Sequence, residues 1–219
     1  MQSEFEQAIE VALSTHRLQP YIDDQNGNLS RALELYRWNI DISSALYGDL
    51  GVLEVLLRNA LNKRLIAKFQ SENQVEPWWE KLHLPDASYN SIKEATLRAQ
   101  KSDVPLVGQN DVVSNLTFGF WVGLFTRRYQ SLVWPQVKSI FSGESDSDTF
   151  TRGAIHNSLE NMNFLKNRIA HHEAIFKRDL FEQNRHLAEL INLLSPETAQ
   201  WVQGQSRIEE LLEIRPRSK

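Results

Sequence analysis

SRALELYRWNIDISSALYGDLGVLEVLLRNALNKRLIAKFQ, residues 30–70, is the stretch on which the fold turns. Ser30 can cap a helix. After it Leu33, Tyr36, Ile40 and Tyr47 fall on one side at helical spacing, with Leu35, Trp38 and Ile42 widening the stripe. The period is that of a helix and not the two-residue alternation of a strand. Gly48 to Gly51 interrupts it, because glycine inside a helix costs roughly 1 kcal/mol relative to alanine. A further helix over about 52–70 then carries Leu53, Leu56, Leu57, Ala60, Leu61, Leu65 and Phe69.

The flanks read the same way. Ser3 and Glu6 stand at capping-box spacing, and Phe5, Ala8, Ile9, Ala12 and Leu13 form one apolar helix face over 3–14. The DDQNGN run within Tyr21–Asn28 is a loop. Residues 71–86 form a connection, with Pro77 and Pro85 around Trp78–Trp79, and a polar helix follows over about 87–101. Asp103 to Gln109 is a loop. The aromatic run Leu116–Trp134 ends at Pro135, which predicts a break or kink. FSGESDSD, residues 141–148, is a polar turn. A long helical stretch spans about Arg152 to Phe181. Ser195-Pro196-Glu197 opens another helix, with Ser as cap and Pro in the first turn, and Arg207–Ile214 is a short last one. No internal repeat, heptad run or strand pattern appears. The expected fold is all-α: one helical bundle over 1–219, with about eight or nine helices, no sheet, and a flexible tail at 215–219.

Composition supports this. Of 219 residues 41% are apolar and 24% charged, with six Trp and ten Phe to fill a core. Nine Gly and seven Pro are few for a turn-rich all-β fold. The chain has no Cys, which excludes disulfides, a thiol nucleophile and Cys-ligated metal. No apolar run nears the roughly 20 residues of a membrane helix, and the acidic, amphipathic N-terminus is unlike a signal peptide. The expectation is a cytoplasmic protein without a membrane partner. The net charge of −4 places any nucleic-acid contact on a local patch.

The chemistry-bearing residues concentrate in Leu165-Lys166-Asn167-Arg168-Ile169-Ala170-His171-His172-Glu173. On a continuous helix His172 falls inside the stripe of Met162, Leu165, Ile169 and Phe176. It then reads as a core histidine. His171 falls beside Phe164, Asn167 and Arg168, on a half-apolar second face that also holds Ile175 and suits a partner helix. RNA cleavage through its own 2′-hydroxyl needs a base that titrates near neutrality, which histidine supplies as a residue type. It also needs a fixed cation against the phosphorane oxygens, which arginine supplies. No metal or cofactor is required. The His171–His172 doublet lacks the HExxH spacing, and His156 and His186 lie far off in sequence. GxSxG and glycine-rich phosphate loops are absent. A second polar cluster surrounds Arg58 and Asn59. Glu54 and Arg58 are spaced for a surface ion pair; alternatively Arg58 or Asn59 turns toward the histidine helix as a substrate-binding residue.

Three stretches together resemble the Abi-like (abortive infection) family of HEPN proteins: LYRWN at 35–39 leading into EVLLRNAL at 54–61, LTFGFWVGL at 116–124 with Tyr129 and Leu132-Val133-Trp134, and LKNRIAHHEAIF at 165–176. Their order and spacing match over about 30–205. The resemblance implies an all-α HEPN domain, commonly a homodimer, that cuts RNA without metal where His and Arg of two subunits meet. It also implies a role in phage defence or a toxin–antitoxin pair, with an antitoxin protein as a further partner. The motif His corresponds to His171, with His172 as the alternative register, and the polar residue to Asn167. The motif Arg position holds Lys166, which lacks the planar fork of a guanidinium; Arg168 is the neighbouring substitute. Ala174 stands where the family often has Pro. The expected function is a metal-independent endoribonuclease. The alternative is a non-catalytic HEPN module binding RNA, a nucleotide or a protein partner.

Overall fold

The structure, a computed structural model, describes residues 2–69, 76–100, 107–141 and 151–217. Among these it contains eleven α-helices and no strand. They are α1 (Gln2–Leu13), α2 (Thr15–Asp24), α3 (Leu29–Phe69), α4 (Asp86–Gln100), α5 (Gln109–Asn115), α6 (Phe118–Gly123), α7 (Trp134–Val137), α8 (Arg152–Ala170), α9 (Leu180–Leu194), α10 (Pro196–Gln203) and α11 (Ile208–Glu213). The all-α expectation holds. The number of helices exceeds eight or nine because the N-terminal segment divides at Ser14 into α1 and α2, and the aromatic run folds as several short pieces. Most of the 103–109 loop and of the 141–148 turn lies outside the described residues.

The two helices expected at 30–47 and 52–70 are one, α3, of 41 residues and about 60 Å. Gly48 and Gly51 do not break it. Leu46, Leu50, Leu53, Leu57, Leu61 and Leu65 are all fully buried along one side. Each buried leucine contributes about 1.5–3 kcal/mol, which outweighs two glycine penalties. The stripe is also rotated from the expected one. Leu35, Trp38, Ile42 and Leu46 face the core, whereas Ile40 and Tyr47 are exposed and Tyr36 half-buried.

α3 is the spine. α2, α6, α7, α8, α9 and α11 all pack on it. Trp38 Nε1 donates to the Leu211 carbonyl at 2.6 Å, tying α3 to α11. On the opposite half Trp78, Phe120 and Trp121 cluster, and Trp78 Nε1 donates to Asn62 Oδ1 at 2.9 Å. α6 is the FGFWVG segment, capped by Thr117, and it packs on α8. Pro135 lies in the first turn of α7, so it starts a helix instead of breaking one. Ser195 caps α10 by accepting from Thr198 N–H, as expected. Arg215, in the tail, lies over the Trp38 ring, and the Arg217 carbonyl accepts from Arg31 at 3.3 Å.

Candidate functional site

The helix expected to run to Phe181 ends at Ala170. His172 N–H donates to the Ile169 carbonyl and Glu173 N–H to the Arg168 carbonyl, each at 2.9 Å. That pair of bonds, with a left-handed residue between them, is a Schellman ending. The left-handed residue is His172, with φ 56°, in a position usually held by glycine. Histidine tolerates this region better than most residues. Where the motif commonly carries an apolar contact, Arg168 and Glu173 form an ion pair of 3.0 Å. No glycine or proline marks this end, which is why periodicity alone overran it.

The early ending changes which residues are accessible. His171 and His172 are both exposed, so His172 is not the core histidine expected from a continuous helix. Ile175, expected on an open second face, is fully buried beside Phe176. Asn39 sets this turn. It is 5% exposed, and its Oδ1 accepts from Ile175 N–H at 2.9 Å and Phe176 N–H at 3.1 Å. Two buried backbone donors are thereby satisfied, each of which would otherwise cost about 1–3 kcal/mol. Behind them Phe176 packs on Tyr21 (4.8 Å between ring centres), and Tyr21 meets Tyr36 edge-on at 5.1 Å. Burial pushes the Tyr21 hydroxyl up to about 12, with Tyr36 adding to and Arg17 opposing the shift.

The structure places the anticipated residues unequally. Asn167 is exposed, and its carbonyl accepts from His171 N–H at 3.0 Å. Arg168 is committed within the turn: besides Glu173 it reaches the Ala174 carbonyl at 3.4 Å, and its buried Nε has no partner among the described residues. Lys166 points elsewhere. It is ion-paired with Glu54, the two side chains only 18% and 17% exposed, and it lies over the rings of Tyr47 and Phe118. The expected Glu54–Arg58 pair is therefore replaced by Glu54–Lys166. Arg58 instead donates to the Ser114 carbonyl and to Asn59 Oδ1, each at 3.3 Å. It lies at least about 16 Å farther along α3 than Tyr47, so neither Arg58 nor Asn59 joins the histidines.

Other cations do gather there. Arg17, in the first turn of α2, donates to the His172 carbonyl. Arg178 lies over the Phe164 ring at 5.1 Å, with Arg168 on the same ring at 5.7 Å. Lys177 lies over Phe176. Sequence reasoning missed Arg17 because it is remote in the chain, and Lys177 and Arg178 because it placed them on a continuing helix. In a chain of net charge −4 this is a local basic patch, able to hold an anion beside two exposed imidazoles.

A groove of about 620 Å³ opens beside His172, between α3 and the end of α8. Its lining includes Tyr36, Asn39, Ile40, Tyr47, Ile169 and His172. Among the described residues no three His, Asp or Glu side chains group to hold a metal ion, and no helix is long and apolar enough to cross a membrane. Compared with known protein families, with curated proteins and with solved structures, the chain matches none.

Proposed function

We propose that this protein is an Abi-like HEPN-fold endoribonuclease of the phage-defence or toxin–antitoxin type, acting as a homodimer and without a metal. The observation that carries this reading is the exposed His171–His172 doublet with Asn167 on the strained end of α8, amid Arg17, Arg168, Lys177 and Arg178. One imidazole removes the proton of a ribose 2′-hydroxyl, which attacks the adjacent phosphorus. The other imidazole, or its counterpart in the second subunit, protonates the departing 5′-oxygen. The cations stabilise the charge on the phosphorane oxygens. Support for a second subunit comes from Phe164, a 49% exposed aromatic between Arg168 and Arg178 on the same end of α8.

A second reading has its own support. Lys166, in the motif Arg position, is held by Glu54, and Arg168 is held by Glu173. A HEPN module whose motif-position cation and its neighbouring substitute are thus engaged would bind RNA, a nucleotide or a protein partner without cutting. Incubation with total RNA in EDTA separates the two. The ribonuclease reading expects fragmentation by the wild type and none by His171→Ala, with unchanged thermal unfolding. Equal behaviour of the two proteins removes it and leaves the binding module.

A further inference from the structure

We infer that the groove between α3 and the end of α8 is a subsite for one unpaired nucleobase, held by a hydrogen bond from the Asn39 side chain. This rests on RNA being the substrate of the neighbouring histidines. The deciding group is the Asn39 side chain. Its Oδ1 accepts two backbone N–H groups, from Ile175 and Phe176. Those bonds leave only one amide orientation, with Nδ2 turned away from them. Asn39 lines the groove, and among the described residues its Nδ2 donates to nothing. The side chain is held at 5% exposure with its donor fixed in direction, ready for an acceptor seated in the groove.

The rest of the groove suits a flat ring. Tyr47 and Ile40 are exposed apolar side chains on α3, one helical face from Asn39, and Tyr36 completes that wall. Bases stack on aromatic side chains irrespective of sequence, so these walls supply affinity and Nδ2 fixes which edge of the base points inward. His172 lines the same groove, with Glu173 next to it, so a base seated there keeps its own ribose and phosphate beside the His172 imidazole. Uracil, cytosine and guanine each offer Nδ2 a carbonyl oxygen, and adenine offers it a ring nitrogen.

Titration calorimetry of the full chain with uridine 3′-monophosphate and with ribose 5-phosphate, which has no base, tests this. The wild type is expected to bind the uridine nucleotide more than about tenfold more tightly. Asn39→Asp keeps an acceptor for both N–H groups and removes the donor, so it weakens the uridine nucleotide about tenfold, the worth of one hydrogen bond. Tyr47→Ala weakens the uridine nucleotide and leaves ribose 5-phosphate unchanged. If Asn39→Asp does not fold, Tyr47→Ala, at an exposed position, decides alone. Equal affinity of the wild type for the two ligands, uridine binding that these variants leave intact, or no uridine binding at millimolar concentration overturns the subsite. The outcomes separate from those of the ribonuclease reading. RNA cleavage indifferent to Asn39→Asp and Tyr47→Ala removes the subsite alone, and base-dependent binding without cleavage removes only the ribonuclease.

Discussion

His172 holds φ at 56° in a position where a residue with a Cβ costs about 1–2 kcal/mol. Strain of this kind persists where the surroundings enforce it, and it collects at functional sites. Here the enforcing contacts are the two Schellman bonds, the Arg17 bond to the His172 carbonyl, and the Asn39 bonds three and four residues later. Glycine would adopt the same backbone freely, at a greater loss of entropy on folding. His172→Gly is therefore expected to raise stability by about 0.5–1 kcal/mol in urea unfolding while lowering cleavage, a trade of function for stability. A variant less stable than wild type would show that the left-handed turn is not strained. The doublet itself was legible in the sequence as a base-bearing pair. Its exposure was not, since nothing in HHEA signals a helix end. Asn39 was visible only as part of the LYRWN block; an amide one turn from Leu35 and Ile42 on the buried stripe was the available clue.

α3 shows how burial overrides local propensity. Gly48 and Gly51 look like a break in one dimension; in the fold they lie off a continuous leucine face, Gly48 exposed and Gly51 half-buried. A Cβ built on either meets nothing within 4 Å, and neither glycine has a positive φ. Gly48→Ala and Gly51→Ala should therefore each stabilise the protein by about 0.5–1 kcal/mol, measured by denaturant midpoint. A loss would mean that α3 bends there in solution. Between these glycines Asp49 receives a 2.7 Å bond from Ser206, which joins α3 to the segment between α10 and α11. Burial pushes the Asp49 carboxyl above its ordinary range, and the Ser206 bond opposes the shift without cancelling it. In the window above the ordinary value the folded chain holds a proton that the unfolded chain has lost, so stability falls as pH rises through it. Asp49→Asn removes this term. The variant should gain in melting temperature over wild type at pH 7 and show no such gain at pH 3. The helical class and many element positions were legible because periodicity and caps are local. The helix count, the rotation of the α3 stripe and the end of α8 depend on partners remote in sequence, which periodicity does not contain.

At the scale of the whole molecule, the site lies where α2, α3, α8 and the turn before α9 converge. Only one of its cations, Arg168, was among those anticipated for it. Lys166, Arg58 and Asn59 lie outside it; Lys166 and Arg58 are each held by a partner that only the fold brings near, and Asn59 accepts from Arg58. Exposed Phe164 stands beside the site, flanked by two guanidinium groups, and is the expected centre of a two-fold contact that brings two doublets together. Light scattering at micromolar concentration should give a dimer for the wild type and a monomer for Phe164→Glu, with unfolding shifted by no more than about 0.5 kcal/mol. A wild-type monomer would contradict a shared site. The account stands most directly on the chemistry of the cut ends. RNA treated with the wild-type protein in EDTA should carry 2′,3′-cyclic phosphates, detected by their resistance to 3′-end ligation until they are opened and dephosphorylated. Fragments bearing 3′-hydroxyl and 5′-phosphate ends, or cyclic ends produced equally by the His171→Ala, His172→Ala double variant, would contradict it.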